Sequence, residues 1–343
     1  MEEVLIVSGL VGIQVVFAFY LVILNRVLAL GVHPLFVVVS VNLANSLFLL
    51  PFAVALERKK WPRTLNPVLM IQFVSIALGG VTVFQSLLLL GVEKTSPAIA
   101  SAMPNLSPGF IFIIAVCLRL EKMEIRCKFT WTKILGTLLC LSGAIAMSFL
   151  QTPATTSPDL TSQVSSGDIA EKEWIIGCGY LLASVVVVSC TTVLQAVTMQ
   201  SFMAPFSLCV VTSLMGAIFT AMVQIIVEGK MEIGSSAISP TGIIGIVILG
   251  GSVSSVCITY QTWCIKKKGP VLVSMFSPVQ TVFSAIFSAL ILRQLIGIGS
   301  ITGMFLMFAG LYMVLWAKKK EIYDDADDNE KLSVNDVEKP LLS

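Results

Sequence analysis

The sequence predicts an all-α integral membrane protein whose ten transmembrane helices form two inverted five-helix repeats. Three observations predict it. Of 343 residues, 56% are hydrophobic and only 12% are charged, with a mean hydropathy of +0.92, which is more apolar surface than one water-soluble core can hide. Apolar runs long enough to cross the hydrocarbon, about 17–25 residues each, recur along the chain. The pattern of the first half also returns in the second, in the same order and at matched spacing.

The runs fall at residues 4–24, 34–55, 67–90, 97–118, 134–150, 174–198, 204–227, 241–264, 270–292 and 297–316. The first follows Met1-Glu2-Glu3, acidic where a cleaved leader would be basic, and reads as a retained span. Lys and Arg set the orientation, because basic loops stay in the cytosol. With a cytosolic N-terminus, the inner segments collect Arg58 to Arg63, Arg119 to Lys133, Lys266 to Lys268 and the basic residues after Ala317. The outer segments hold only Arg26, Lys94, Lys172, Lys230 and Arg293, so both termini are expected in the cytosol. Residues 151–173, rich in Ser, Thr, Pro and Asp, read as a flexible extracytosolic linker. Residues 318–343 carry too little apolar content to fold and read as a disordered cytosolic tail. The expected units are therefore residues 1–150, holding spans one to five, and 174–317, holding spans six to ten.

The duplication is read from paired residues. His33-Pro34-Leu35-Phe36 opens span two as Ala204-Pro205-Phe206-Ser207 opens span seven, and Gly79-Gly80 and Gly250-Gly251 lie at the same distance from those prolines. Pro97 and Ser101 pair with Pro270 and Ser274, and Gly136 and Gly143 with Gly303 and Gly310. Five spans is an odd number, so the second copy enters the membrane from the opposite side and the repeats are inverted. Small residues at these places let helices approach closely.

Function is expected where the helices break. Pro97, Pro104 and Pro108 interrupt span four, and Pro270 and Pro278 interrupt span nine. Paired interruptions in two halves are the sequence pointer to a transporter's binding site. Asn105 and Gln280 lie beside them, with Ser277 next and Gln14, Tyr260 and Gln261 behind, as candidate substrate contacts. Half-helix dipoles there can hold the charged ends of a zwitterion or a carboxylate without a formal countercharge. Hydrogen bonding between helices is the alternative use of each such side chain. The spans carry no Asp or Glu away from their ends, so a proton relay has no obvious carrier and a facilitator is favoured. No His/Asp or paired-Asp constellation suits a membrane enzyme. The scattered cysteines, Cys117, Cys127, Cys140, Cys178, Cys190, Cys209, Cys257 and Cys264, read as packing residues, and with the lone His33 they suggest no metal and no cofactor. A net charge of +2 gives no nucleic-acid surface. The expected partners are a small-molecule substrate and the lipid bilayer.

Residues 95–106 (Thr-Ser-Pro-Ala-Ile-Ala-Ser-Ala-Met-Pro-Asn-Leu), Arg119-Leu120-Glu121, residues 261–278 and Gly310 to Trp316 together resemble the plant UMAMIT transporters. These nodulin-type, walls-are-thin-related proteins form part of the EamA branch of the drug/metabolite transporter superfamily. The resemblance spans nearly the whole chain outside the linker and tail. It implies two EamA repeats, a plant source, and export or bidirectional movement of amino acids, with auxin or related metabolites for some members. It also implies a plasma-membrane address ahead of the vacuolar membrane. Purine and nucleotide-sugar carriers belong to the same superfamily, but the latter would need intramembrane Lys or Arg for phosphate. A receptor or scaffold is the reading outside transport, and it leaves the inverted duplication unexplained. The chain departs from many relatives at Ser40-Val41-Asn42, where they show Tyr-Arg before the asparagine, and at Gln294, where they carry an acid.

Overall fold

The computed structural model describes residues 2–60, 66–94, 103–118, 128–149, 167–229, 240–292, 299, 301–314, 316–317 and 320. Pro97, residues 151–166 of the expected linker and the tail apart from Lys320 lie outside them. Every regular element among the described residues is helical. Among the described residues, seven helices are long and apolar enough to cross a membrane, and two shorter apolar ones, Met103–Cys117 and Ile301–Val314, accompany them.

Helix α1 (Glu2–Ala29) turns through Gly31, at φ 91°, into α2 (Pro34–Glu57), whose first residue is a proline that needs no N–H there. The third span is capped by Asn66, whose side chain accepts the Val68 N–H at 3.2 Å. It comprises α3 (Pro67–Ala77), a π-helical turn (Leu78–Val83) and α4 (Phe84–Lys94). A tight 3-10 turn (Met103–Leu106) leads into α5 (Ser107–Cys117), and α6 (Lys128–Phe149) closes the first half.

The second half opens with α7 (Gly167–Ser201), which begins inside the stretch expected to be linker. The helix reaches beyond its apolar run, which begins near Ile175. Next come α8 (Pro205–Glu228), ended by Gly229 at φ 72°, and α9 (Pro240–Lys268), ended by Gly269 at φ 85°. The ninth span is broken into α10 (Pro270–Ser274) and α11 (Ser277–Leu292), and α12 (Ile301–Val314) follows.

Neighbour contacts arrange these helices in a ring. Helix α1 packs on α9, α9 on α2, α2 on α8, α8 on the π-turn, α4 on α7, α7 on α5, α5 on α10, and α11 returns to α1. Helices α6 and α12 cross beside α11, where Cys140, Val282 and Met307 form a buried cluster.

The glycines show how close the crossings are. A Cβ on Gly136 would lie 2.9 Å from the Gly310 carbonyl oxygen, and one on Gly310 would lie 2.5 Å from the Gly136 oxygen. A Cβ on Gly143 would meet the Gly303 oxygen at 2.8 Å. The repeat alignment exchanges Gly136 with Gly303 and Gly143 with Gly310, so each contact is the image of the other. The same holds in the ring. Gly79 faces Thr191 (Cβ to Cγ2 2.6 Å) and Gly250 faces Tyr20 (Cβ to hydroxyl 2.7 Å). The spacing that pairs Gly79 with Gly250 also pairs Tyr20 with Thr191.

Candidate functional site

Where α5 and the α10–α11 pair meet, both backbones leave the α-helical ladder. Pro278 has no N–H for the Ser274 carbonyl and its ring crowds that oxygen; the chain turns at Met275 and Phe276 before resuming as α11. Pro104 lies in the 3-10 turn, and Pro108 sits buried in the first turn of α5. The first turns of α5, at Ser107, and of α11, at Ser277, therefore begin inside the protein rather than at its surface.

Asn105 occupies that turn. It is 5% exposed, and its Oδ1 accepts a hydrogen bond from Thr281 Oγ1 at 2.8 Å. Thr281 adjoins Gln280, and both Gln280 and Ser277 are half-buried on α11. Gln14, on the helix that packs against α11, is 1% exposed, and its Oε1 has no hydrogen-bond partner in the structure. Leaving such an acceptor dry costs about 1–3 kcal/mol.

The other two candidates lie elsewhere, on α9. The Tyr260 hydroxyl donates to the Leu5 carbonyl at 3.2 Å, and its ring lies over Gly9 of α1, where a Cβ would collide with the hydroxyl. Tyr260 also borders an almost wholly apolar cavity of about 370 Å³ lined by Phe48, Phe52, Phe206, Val256 and Trp263. Val256 is 60% exposed, so this cavity opens on the outer face of the helices, as a crevice for lipid chains does. Gln261 is half-buried beside Thr262.

The end that carries Lys266 to Lys268 is shut. Gln195 Nε2 of α7 donates to Thr262 Oγ1 of α9 at 2.8 Å, and Cys209 Sγ of α8 lies 3.4 Å from the same hydroxyl. The Lys266 ammonium reaches the Met203 carbonyl at 3.4 Å. Beneath these bonds the largest buried cluster joins Ile6 and Leu10 of α1, Ile111 of α5, Val193 of α7, Cys264 of α9 and Phe276. Helices from opposite sides of the ring thus meet across it at this end.

The polar contact at Glu57 was not singled out from the sequence. Glu57, the last residue of α2, is 2% exposed, and its carboxylate accepts from Ser207 N at 2.8 Å, Ser207 Oγ at 2.9 Å and Phe206 N at 3.3 Å. Asn45 Nδ2 donates to Ser213 Oγ at 2.8 Å, and the Thr82 and Thr220 hydroxyls pair at 3.1 Å. Glu57 was set aside as a helix end; what marks it is that α2 and α8 both start at a proline and finish at a glutamate. Among the described residues no cluster of His, Cys, Asp and Glu could hold a metal.

Comparison with known proteins gives this geometry a context. The EamA-like transporter family matches the chain twice, over residues 5–149 and 175–316. A WAT1-related protein of Arabidopsis thaliana is 43% identical over 100% of this chain and 93% of its own length. Protein WALLS ARE THIN 1 of the same plant is 33% identical over 93% of this chain and 85% of its own length. One crystal structure, 16% identical, superposes with a TM-score of 0.65 over 91% of this chain and 98% of its own. At that identity it speaks for the fold alone.

Proposed function

Because the chain belongs to the EamA-like transporter family, among the WAT1-related transporters of plants, we propose that it moves amino acids across a membrane by alternating access of two inverted five-helix repeats. The broken helices carry this reading. The uncharged polar turn before α5 is tied to the second turn of α11 by the Asn105 to Thr281 bond, so both helices begin near it inside the protein. The positive ends of α5 and α11 suit a substrate carboxylate, and the carbonyl groups freed at the α10–α11 break suit an ammonium. Asn105, Gln280, Ser277 and Gln14 are the contacts we assign to it, with the buried Pro108, Pro270 and Pro278 holding the backbone in place.

Ten spans, with the units at residues 1–150 and 174–317, are supported by the two family matches and by contacts that recur as images of one another. Inverted halves carry two conformations, one the image of the other. With the Lys-rich end shut, the state described here is closed toward the cytosol, given cytosolic termini and a plasma-membrane address. Movement is facilitated, outward or in both directions. Auxin, a purine or another metabolite is the alternative cargo at the same site.

The test is a panel of labelled amino acids and an auxin in proteoliposomes, with and without a proton gradient. An amino acid should equilibrate without accumulating. Asn105→Ala and Gln280→Ala should each weaken its apparent affinity about tenfold, the worth of one or two well-placed hydrogen bonds. Unchanged kinetics in both variants would remove the site assignment, and accumulation driven by the gradient would remove facilitation.

A further inference from the structure

The cavity of about 370 Å³ beside Tyr260 opens on the outer face of the helices rather than on the Asn105 turn. Two stripes make most of its wall. Val256, Tyr260 and Trp263 of α9 stand at i, i+4 and i+7, and Phe48 and Phe52 of α2 at i and i+4, spacings that keep each set on one helix face. Phe206, at the start of α8, completes the wall and stacks on Phe52 with ring centroids 6.5 Å apart. The hydroxyl hydrogens that reach the wall are spent within the protein: Ser255 donates to the Gly251 carbonyl and Tyr260 to the Leu5 carbonyl. What remains suits an apolar occupant arriving from the bilayer, where Phe48, Phe52 and Val256 are exposed.

Both stripes run out in a lysine. Lys267 continues the α9 face at i+11 from Val256, three helical turns on, and its ammonium stands 5.9 Å from the centre of the Trp263 ring. Lys59 stands at i+11 from Phe48, in the 3-10 turn that follows Glu57. These helix ends lie together, because Glu57 bonds the start of α8 while the Lys266 ammonium reaches Met203 just before that start. Lys59 and Lys267 are exposed, whereas the Glu57 carboxylate is buried on Ser207.

Basic residues and tryptophans mark cytosolic membrane boundaries in general. Here they head an apolar crevice of fitting depth. From Val256 to Lys267 the helix rises about 16 Å, against about 15 Å for one leaflet of a 30 Å hydrocarbon core.

We propose that this crevice holds an acyl chain of an anionic phospholipid, with the phosphate of its headgroup at Lys59 and Lys267. The chain fills apolar volume that the side chains leave open. The two lysines favour a headgroup of net negative charge over a zwitterionic one, which brings an ammonium of its own. Anionic lipids belong to the cytosolic leaflet, where the Lys-rich end is expected. The site stands apart from the choice of cargo.

Trp263, in the wall, is the reporter. Full-length protein in detergent micelles is titrated with phosphatidylglycerol carrying dibrominated chains, and separately with phosphatidylcholine carrying the same chains, since bromine quenches a tryptophan that it touches. Subtracting the trace of Trp263→Phe isolates the Trp263 signal. Phosphatidylglycerol should half-quench at about one-tenth of the concentration that phosphatidylcholine needs, the order of gain that two lysines near an anionic headgroup supply. Lys59→Gln combined with Lys267→Gln should bring the two lipids together. Val256→Phe, which fills the crevice from its lipid-facing side, should weaken quenching by both.

Equal half-quenching by the two lipids in the parent would make the crevice an ordinary seam in the lipid boundary and overturn the proposal. A phosphatidylglycerol preference that survives in the double lysine variant, or quenching that Val256→Phe leaves untouched, would overturn it as well. All three substituted side chains are exposed, thermal melts check that each variant is folded, and Lys267→Gln alone serves should the double variant unfold.

Discussion

Gln14 shows what one side chain can decide. It is fully buried with an unpartnered carbonyl oxygen, an arrangement that lowers stability unless something else uses the group. Gln14→Leu removes the orphan acceptor and keeps the apolar stem. Thermal unfolding in detergent should show a melting temperature equal to or above the parent's, while amino-acid flux falls several-fold. A lower melting temperature with unchanged flux would make Gln14 a structural hydrogen-bonding residue. Asn105 was legible in the sequence because prolines flank it on both sides. Its partner Thr281 was not, since nothing in one sequence marks which hydroxyl of the ninth span turns toward the fourth. Tyr260 looked equivalent to these on composition, but the open face at Gly9 draws its ring onto α1.

At the scale of elements, breaks and crossings are built by opposite devices. Proline opens the ladder between α10 and α11, so Pro278→Ala should restore a bond to the Ser274 carbonyl. The helix should straighten, stability should hold or rise, and transport should fall. Amide exchange at residue 278 and its neighbours together with flux checks this. Glycine makes the α6–α12 crossing, where a Cβ on Gly143 would meet two backbone atoms, Met307 N at 2.7 Å and the Gly303 oxygen at 2.8 Å, besides the Leu306 Cβ. Backbone cannot step aside as a side chain can, so Gly143→Ala should cost about 1–3 kcal/mol. Gly12→Ala, with nothing within 4 Å, should be neutral or slightly stabilising, since alanine is the better helix former; paired thermal melts compare them. Hydropathy located the spans because hydrocarbon demands long apolar helices. It missed the π-turn at Leu78–Val83, which keeps the helix apolar and changes only its winding. It placed the start of span six at residue 174, next to Ile175 where the apolar span begins, and α7 itself starts earlier, at Gly167.

For the whole molecule, the repeated spacing of Pro34 with Pro205 and of Gly79 with Gly250 was legible before any coordinates, and it carried the idea of two related halves. What it could not carry is the asymmetry. On the alternating-access proposal, the seal made by Gln195, Thr262 and Lys266 belongs to one conformation of two, and a sequence encodes both at once. Spin labels in a cysteine-depleted, full-length protein can report on each end separately. One pair, Met203→Cys with Lys267→Cys, spans the shut end; the other, Leu30→Cys with Val92→Cys, spans the opposite end. Pulsed electron-spin distances in nanodiscs, with and without the solute that scores in the uptake panel, test the central claim most directly. The account predicts two distance populations at each end, with the long population at one growing as the long population at the other shrinks. A single unchanging distance at both ends, or two ends that widen together, would contradict it.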